Sequence, residues 1–202
     1  MENRKSEQPS TRDRILVAAA TMFSEDPGAR LSVRAVAARA GVSTGSLRYH
    51  FPTQRALLDT MLATLYGHVA PDHRIHDRSV PARDRLVECL RQVVALAGVG
   101  QRSRELWGEV YRKFIEPEPT EELRAATAAV QVQGLRRIES WLAVLTEEGA
   151  LAAGDNSRRA RFLQTVVDGL TLERAMPTSG SPLQHETDVL YTAVDCVLRP
   201  PA

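Results

Sequence analysis

Scarcity narrows this 202-residue sequence first. It holds two cysteines, Cys89 and Cys196, far apart and each inside an apolar pattern. That placement fits free, buried thiols of a cytoplasmic protein, not a disulfide framework or a metal motif. Long hydrophobic runs are missing. Charge interrupts every apolar stretch, which excludes a membrane-spanning helix. The opening MENRKSEQPSTRDR is polar and lacks a basic–apolar–small pattern, so no secretory signal is expected. Runs that alternate β-branched or aromatic residues with polar ones are also missing, and no strand is expected. Net charge is close to nil, at +1. Taken alone, this points to no particular partner.

Catalytic signatures are absent too. There is no glycine-rich phosphate loop and no nucleophile elbow. His68, His73 and His76 cluster with Asp72 and Asp77 in the stretch APDHRIHDRSVP. They lack the spacing that puts two ligands on one helix face, so a solvated linker is the expectation and no metal or cofactor is assigned. The chain is not expected to be an enzyme.

What is present is helical. Hydrophobic residues make up 43% of the chain, enough for a buried core. About nine helices are expected, near residues 11–24, 33–40, 44–51, 54–68, 81–98, 103–115, 120–147, 157–175 and 183–198. Residues 1–10 form a polar tail. In the first helix Ile15, Ala19, Met22 and Phe23 make the apolar stripe. In the second, Val33, Val36, Ala37 and Ala40 recur at i, i+3, i+4 and i+7 behind an N-capping Ser32. The fold class is therefore all-α. Charge is uneven along it: residues 1–66 hold nine basic and six acidic residues, net +3, whereas residues 67–202 hold 17 and 19, net −2.

The positive excess surrounds GVSTGSLRYHF, residues 41–51. Two short helices joined by a turn containing Gly41 give the pattern of a helix-turn-helix. At about 100° per residue, Leu47 and Phe51 fall on one face of the second helix. Gly45 and Tyr49 lie opposite, flanked by Thr44 and Arg48 on one side and Ser46 and His50 on the other. Gly45 leaves a thin spot where a groove wall can approach. Hydroxyls and N–H groups at the helix start suit phosphates, and Arg48 can fork onto a guanine edge or pair with a phosphate.

These residues resemble the DNA-binding domain of the TetR (tetracycline repressor) family. The likeness rests on ILVAAATMFSEDP and LSVRAVAARAGVSTGSLRYHFPTQRALLDTML, within residues 11–66. It implies base-edge roles for Arg34, Thr44, Ser46 and Arg48, and phosphate roles for Ser43, Tyr49 and His50. Tyrosine is frequent in the family where Arg48 stands. Gln54 takes the place of a frequent phosphate-holding lysine, and Arg55 is its candidate substitute.

The resemblance also implies that residues 67–202 bind a ligand and dimerise. Phe162, Val166, Leu170, Leu190, Val194 and Val197 are the candidate dimer face on the last two helices. Candidate pocket residues are His68, Trp107, Tyr111, Phe114, Trp141 and Phe162, with Glu109 and Asp168 as polar anchors. The expected protein is a cytoplasmic homodimeric repressor on a pseudo-palindromic double-stranded DNA operator, released by a small apolar or amphipathic effector. Two competitors are the same head governed by a protein partner or acting as an activator, and a helical-bundle enzyme with an incidental helical hairpin.

Overall fold

Helix caps and stops divide the chain much as its glycines, prolines and hydroxyls suggest. The computed structural model describes residues 9–26, 31–69, 72–177 and 182–199. Among them the regular structure is helical: α1 (Thr11–Glu25), α2 (Val33–Ala40), α3 (Thr44–His50), α4 (Gln54–Val69), α5 (Ala82–Ala95), α6 (Gln101–Val110), α7 (Glu121–Glu147), α8 (Asn156–Glu173) and α9 (Pro182–Leu198). The chain is thus all-α. It forms two compact units: residues 1–65 with 118–129, and residues 66–117 with 130–202.

In the first unit α1, α2 and α3 pack on one another. Ser10 starts α1, its Oγ accepting from the Asp13 N–H at 3.1 Å. Ile15, Leu16, Ala18 and Ala19 are buried, while Met22 and Phe23 are only half-buried. Ser32 caps α2 by accepting from the Ala35 N–H. Val36, Ala37 and Ala40 turn inward, and these small residues let neighbouring helices approach closely. At the end of α2, Gly41 has φ +65°. Its N–H bonds the Ala38 carbonyl, and the Val42 N–H bonds that of Ala37. This is the paired closure that a left-handed residue permits. Thr53 starts α4 by accepting from the Ala56 N–H, and Leu57, Met61 and Leu62 are buried. Leu123, Ala126 and Ala129 of early α7 are buried as well.

The second unit is built round Leu86, Leu90 and Val94 of α5, Trp141, Leu142 and Leu145 of α7, Leu163 and Val167 of α8, and Leu190 and Val194 of α9. Ionic ties reach across it. Buried Arg85 donates to the Ile75 carbonyl and to Glu148. Arg174, also buried, forks onto Glu186 at 2.7 and 2.9 Å and reaches the Gly98 carbonyl at 3.0 Å. Arg83 forks onto Asp195 and lies 4.3 Å over the Tyr191 ring. The Arg85 guanidinium beside Glu148 holds that carboxyl below its usual range.

Local breaks differ from the periodic reading in three places. The stretch 72–76, expected as solvated linker, is a short 3₁₀ turn with Ile75 buried. The α5 helix ends at Ala95, and its last turns tighten through Ala97 and Gly98, whose φ is +68°. The helix expected at 103–115 is α-helical only to Val110. Residues 111–115 widen into a π turn closed by the Glu116 N–H on the Tyr111 carbonyl. Pro117 has no N–H to carry the helix further. Cys89 is buried as expected, but Cys196 is exposed, because the inward stripe of α9 runs through Leu190, Val194 and Val197.

Candidate nucleic-acid interface

Helix α3 has an anchored side and a free side. Leu47 and Phe51 are buried, at 0% and 2% exposure, and the Arg12 guanidinium lies 5.5 Å over the Phe51 ring. Tyr49, by contrast, is 84% exposed. Thr44, Gly45 and Arg48 are exposed with it, while Ser46 and His50 are half-buried on the flanks. The Tyr49 and His50 rings meet edge to face at 5.2 Å, which limits the rotamers of both before any partner arrives. The outward arrangement read from the wheel is therefore the one present.

Ser43 is exposed, and its Oγ accepts from the Ser46 N–H at 3.0 Å. One lone pair is committed to capping, and the hydroxyl hydrogen is left for an outside acceptor. A Cβ placed on Gly45 would meet only the Ser43 Oγ, at 3.8 Å, so the surface is open there. Arg34 at the start of α2 is exposed. Arg55 is exposed too and makes a loose pair with Asp59 at 3.4 Å, of the surface kind that exchanges readily for a phosphate. Of the other nearby cations, Arg39 is tied bidentately to Glu25.

Periodicity did not reveal Arg14. From α1 its Nη2 donates to the Ala40 carbonyl at 2.7 Å and the Gly41 carbonyl at 3.0 Å. These are the carbonyls a helix end leaves without internal partners. Arg14 therefore ties α1 to the turn that orients α3. A hydrophobic stripe cannot forecast such a bond, because the partners are backbone atoms 26 and 27 residues away.

The second unit holds a cavity of about 280 Å³. Its walls come from α5 and the turn after it (Val93; Leu96, Ala97), α6 (Leu106, Trp107, Val110), α7 (Val130, Gln131, Gly134, Arg137, Ile138) and α8 (Gln164, Val167, Asp168, Thr171). Of the pocket residues expected from sequence, Trp107 and Asp168 line it. Glu109 and Tyr111 are exposed, Glu109 standing 3.9 Å from Lys113. Phe114 is half-buried within the π turn. Trp141 is core, at 2% exposure. Phe162 lies on the outer side of α8, and the His68 side chain falls outside the described residues. An apolar stripe at helical spacing says that a residue faces inward, not that a void remains beside it.

The expected dimer face also needs correction. Leu170, Leu190, Val194 and Val197 are buried within the chain itself. The outer face of α8 carries other residues: exposed Arg158, Phe162, Thr165, Gly169 and Glu173, with Val166 half-buried at its edge. Shallow depressions beside Phe162 reach His185, Asp188 and Cys196 of α9. No group of residues suited to holding a metal ion occurs among the described residues, and no described helix is long and apolar enough to cross a membrane.

Comparison with known proteins completes the picture. Residues 15–61 match the family described as bacterial regulatory proteins, tetR family. A nucleoid occlusion factor, SlmA of Marinobacter nauticus, is 33% identical over 57 residues, 28% of this chain and 29% of that protein. The match thus spans under a third of the curated relative. A solved Rhodococcus sp. protein described as a TetR-family transcriptional regulator is 25% identical, with a TM-score of 0.55 and 94% and 98% of the two chains covered. NalD of Pseudomonas aeruginosa, the secondary repressor of the MexAB-OprM multidrug efflux pump, is 23% identical with a TM-score of 0.51 over 94% and 97%. At that identity it speaks for the fold.

Proposed function

This chain belongs to the tetR family of bacterial regulatory proteins, and from that membership we propose that it represses transcription as a cytoplasmic homodimer, holding a pseudo-palindromic operator until a small molecule enters the cavity of its second unit. The observation that carries the reading is α3. Its core side is pinned by Leu47 and Phe51, and its other side presents Thr44, Arg48 and Tyr49 to solvent.

Arg48, Arg34, Thr44 and Ser46 read base edges in the major groove. Ser43, Tyr49, His50 and Arg55 hold phosphates, and Gly45 lets the groove wall come close. Base contacts specify and phosphate contacts position. One reading head per chain means that a two-fold pair of chains is needed to meet two half-sites a helical turn apart. The effector works by binding more tightly to the arrangement of heads that does not fit the operator. Its differential affinity sets the size of the response.

A second copy fits the outer face of α8. Run antiparallel, the stripe is self-complementary. Phe162 of each chain meets Gly169 of the other, whose missing side chain leaves open space, and Arg158 meets Glu173. Thr165 and Val166 sit near the two-fold axis.

Operator binding is tested by titrating DNA from upstream of the gene and a scrambled duplex of equal length, followed by fluorescence anisotropy at several salt concentrations. Arg48→Ala is expected to lose about 1–3 kcal/mol of discrimination between the two. Equal affinity of the unaltered protein for both duplexes refutes the regulator reading. A uniform loss on both duplexes, with a shallower salt dependence, reassigns Arg48 to a phosphate.

A further inference from the structure

The cavity of the second unit is mostly apolar, but its polar groups are unevenly satisfied. Arg137 on α7 is the cation among the residues that line the cavity, and its guanidinium lies 5.4 Å over the Trp141 ring, where the indole face shares its positive charge. The Trp107 indole N–H is spent on the Thr171 carbonyl at 3.0 Å. Asp168, at the mouth, accepts one hydrogen bond, from Gln164 Nε2 at 2.7 Å. No cation of the chain is paired with it among the described residues. Asp168 is exposed, and the desolvation it undergoes at the cavity pushes its carboxyl above its usual range.

Gln164 adds a second acceptor. With its nitrogen turned to Asp168, its Oε1 lies over Gly134 of α7. A Cβ on Gly134 would come within 2.7 Å of that oxygen. Glycine at 134 thus makes the room in which the amide lies. The Asp168 carboxylate and the Gln164 amide are thus linked one turn apart on α8, with Trp107 and the aliphatic side chains of Val93, Leu106, Val110 and Ile138 forming the apolar remainder of the cavity.

We infer that this cavity binds a compact lipophilic amine, its ammonium held by Asp168 and Gln164 and its apolar body packed against Trp107 and the aliphatic wall. An ammonium brings donors and a positive charge, and the site offers acceptors and a negative one. A volume of about 280 Å³ suits a single ring with a short chain and is small for a drug-sized pocket. An organic acid placed against α8 meets the like charge of Asp168, with Arg137 across the cavity lining on α7, and a neutral alcohol brings no positive charge to the carboxylate. The inference rests on the effector-cavity reading above and names the chemistry of that site.

Three probes of one shape test it by titration calorimetry with the full-length protein at neutral pH: 2-phenylethylamine, 2-phenylethanol and phenylacetate. The amine is expected to bind about tenfold more tightly than the alcohol, as a charge-assisted hydrogen bond to a partly desolvated carboxylate provides, and more tightly still than the acid. Asp168→Asn, checked for folding by its melting curve, should bring amine and alcohol within about twofold of each other. Gly134→Ala, which displaces the Gln164 amide, should weaken the amine more than the alcohol. Equal binding of amine and alcohol, preference for the acid, binding of none of the three, or an amine preference that survives Asp168→Asn overturns the inference. A parallel arm adds each probe to the protein bound to its upstream DNA. If the amine binds with the expected selectivity but releases no DNA, the site chemistry stands and the effector-release reading falls. If the alcohol or the acid binds and releases the DNA, the reverse holds.

Discussion

Gly41 is the residue of the DNA-facing unit with least room for change. Its φ of +65° lies where side chains are disfavoured, and an added Cβ would sit 2.9 Å from the Arg14 Nη2 that grips the neighbouring carbonyls. Gly41→Ala is therefore expected to cost about 1–2 kcal/mol of stability, read as a lower melting temperature, and to lower operator affinity further by loosening the turn before α3. Two carboxylates of the second unit respond to pH in opposite senses. Asp168 has a raised pKa in the folded chain, so the folded state takes up its proton more readily than the unfolded one. Stability from this group falls as pH rises through the window between the usual carboxylate value and the raised one. Asp168→Asn should raise the melting temperature of the ligand-free protein near neutral pH, and the gain should fade on acidification. Glu148, lowered by Arg85, does the opposite. It stabilises above the usual carboxylate range, and that contribution is lost as pH falls through its lowered value. Glu148→Gln should therefore lower the melting temperature near neutral pH, and the deficit should close as pH falls; a deficit that is unchanged by acidification contradicts this.

At the scale of the element, α3 owes its start to Ser43. Ser43→Ala removes the acceptor for the Ser46 N–H and should cost about 1 kcal/mol, whereas Ser43→Gly should cost only a few tenths. If the hydroxyl also donates to a phosphate, both variants lose DNA affinity alike. If it serves only as a cap, affinity follows stability and the glycine variant stays close to the parent. Caps of this kind were legible in the sequence, because they are written within four residues: Ser32, Ser43 and Thr53 each precede a helix, and Gly41 follows one. The faces of α3 were legible for the same reason, since one helical turn fixes what is opposite Leu47. Interactions across distant helices were not. Nothing near Arg14 signals that it bonds carbonyls beyond α2, and nothing near Arg174 signals Glu186 and Gly98. The apolar stripes of α8 and α9 were visible, but a stripe has no label for its partner. Leu170, Leu190, Val194 and Val197 pack inside the chain, and only Phe162 and Val166 of the expected set stand toward the outside.

For the whole molecule, the proposed dimer makes a prediction that charge reversal can check. Arg158→Glu alone and Glu173→Arg alone should each weaken association, seen as a shift toward monomer in sedimentation equilibrium. The double variant should restore much of it, because the pair is re-formed with its signs exchanged. Double and single variants that dissociate alike remove the antiparallel α8 arrangement. Phe162→Glu should dissociate the pair more strongly, by placing a charge against the partner's Gly169.

The first unit draws its residues from two stretches, 1–65 and 118–129. A gene segment encoding only the first 66 residues thus omits one of the two. Grafting that segment onto the remainder of another protein of this fold would give the first unit a foreign stretch in place of Leu123, Ala126 and Ala129. A chimera that exchanges both stretches together should be better expressed and more heat-resistant than one cut at a single point; equal behaviour of the two would mean that the second stretch adds nothing to the heritable unit.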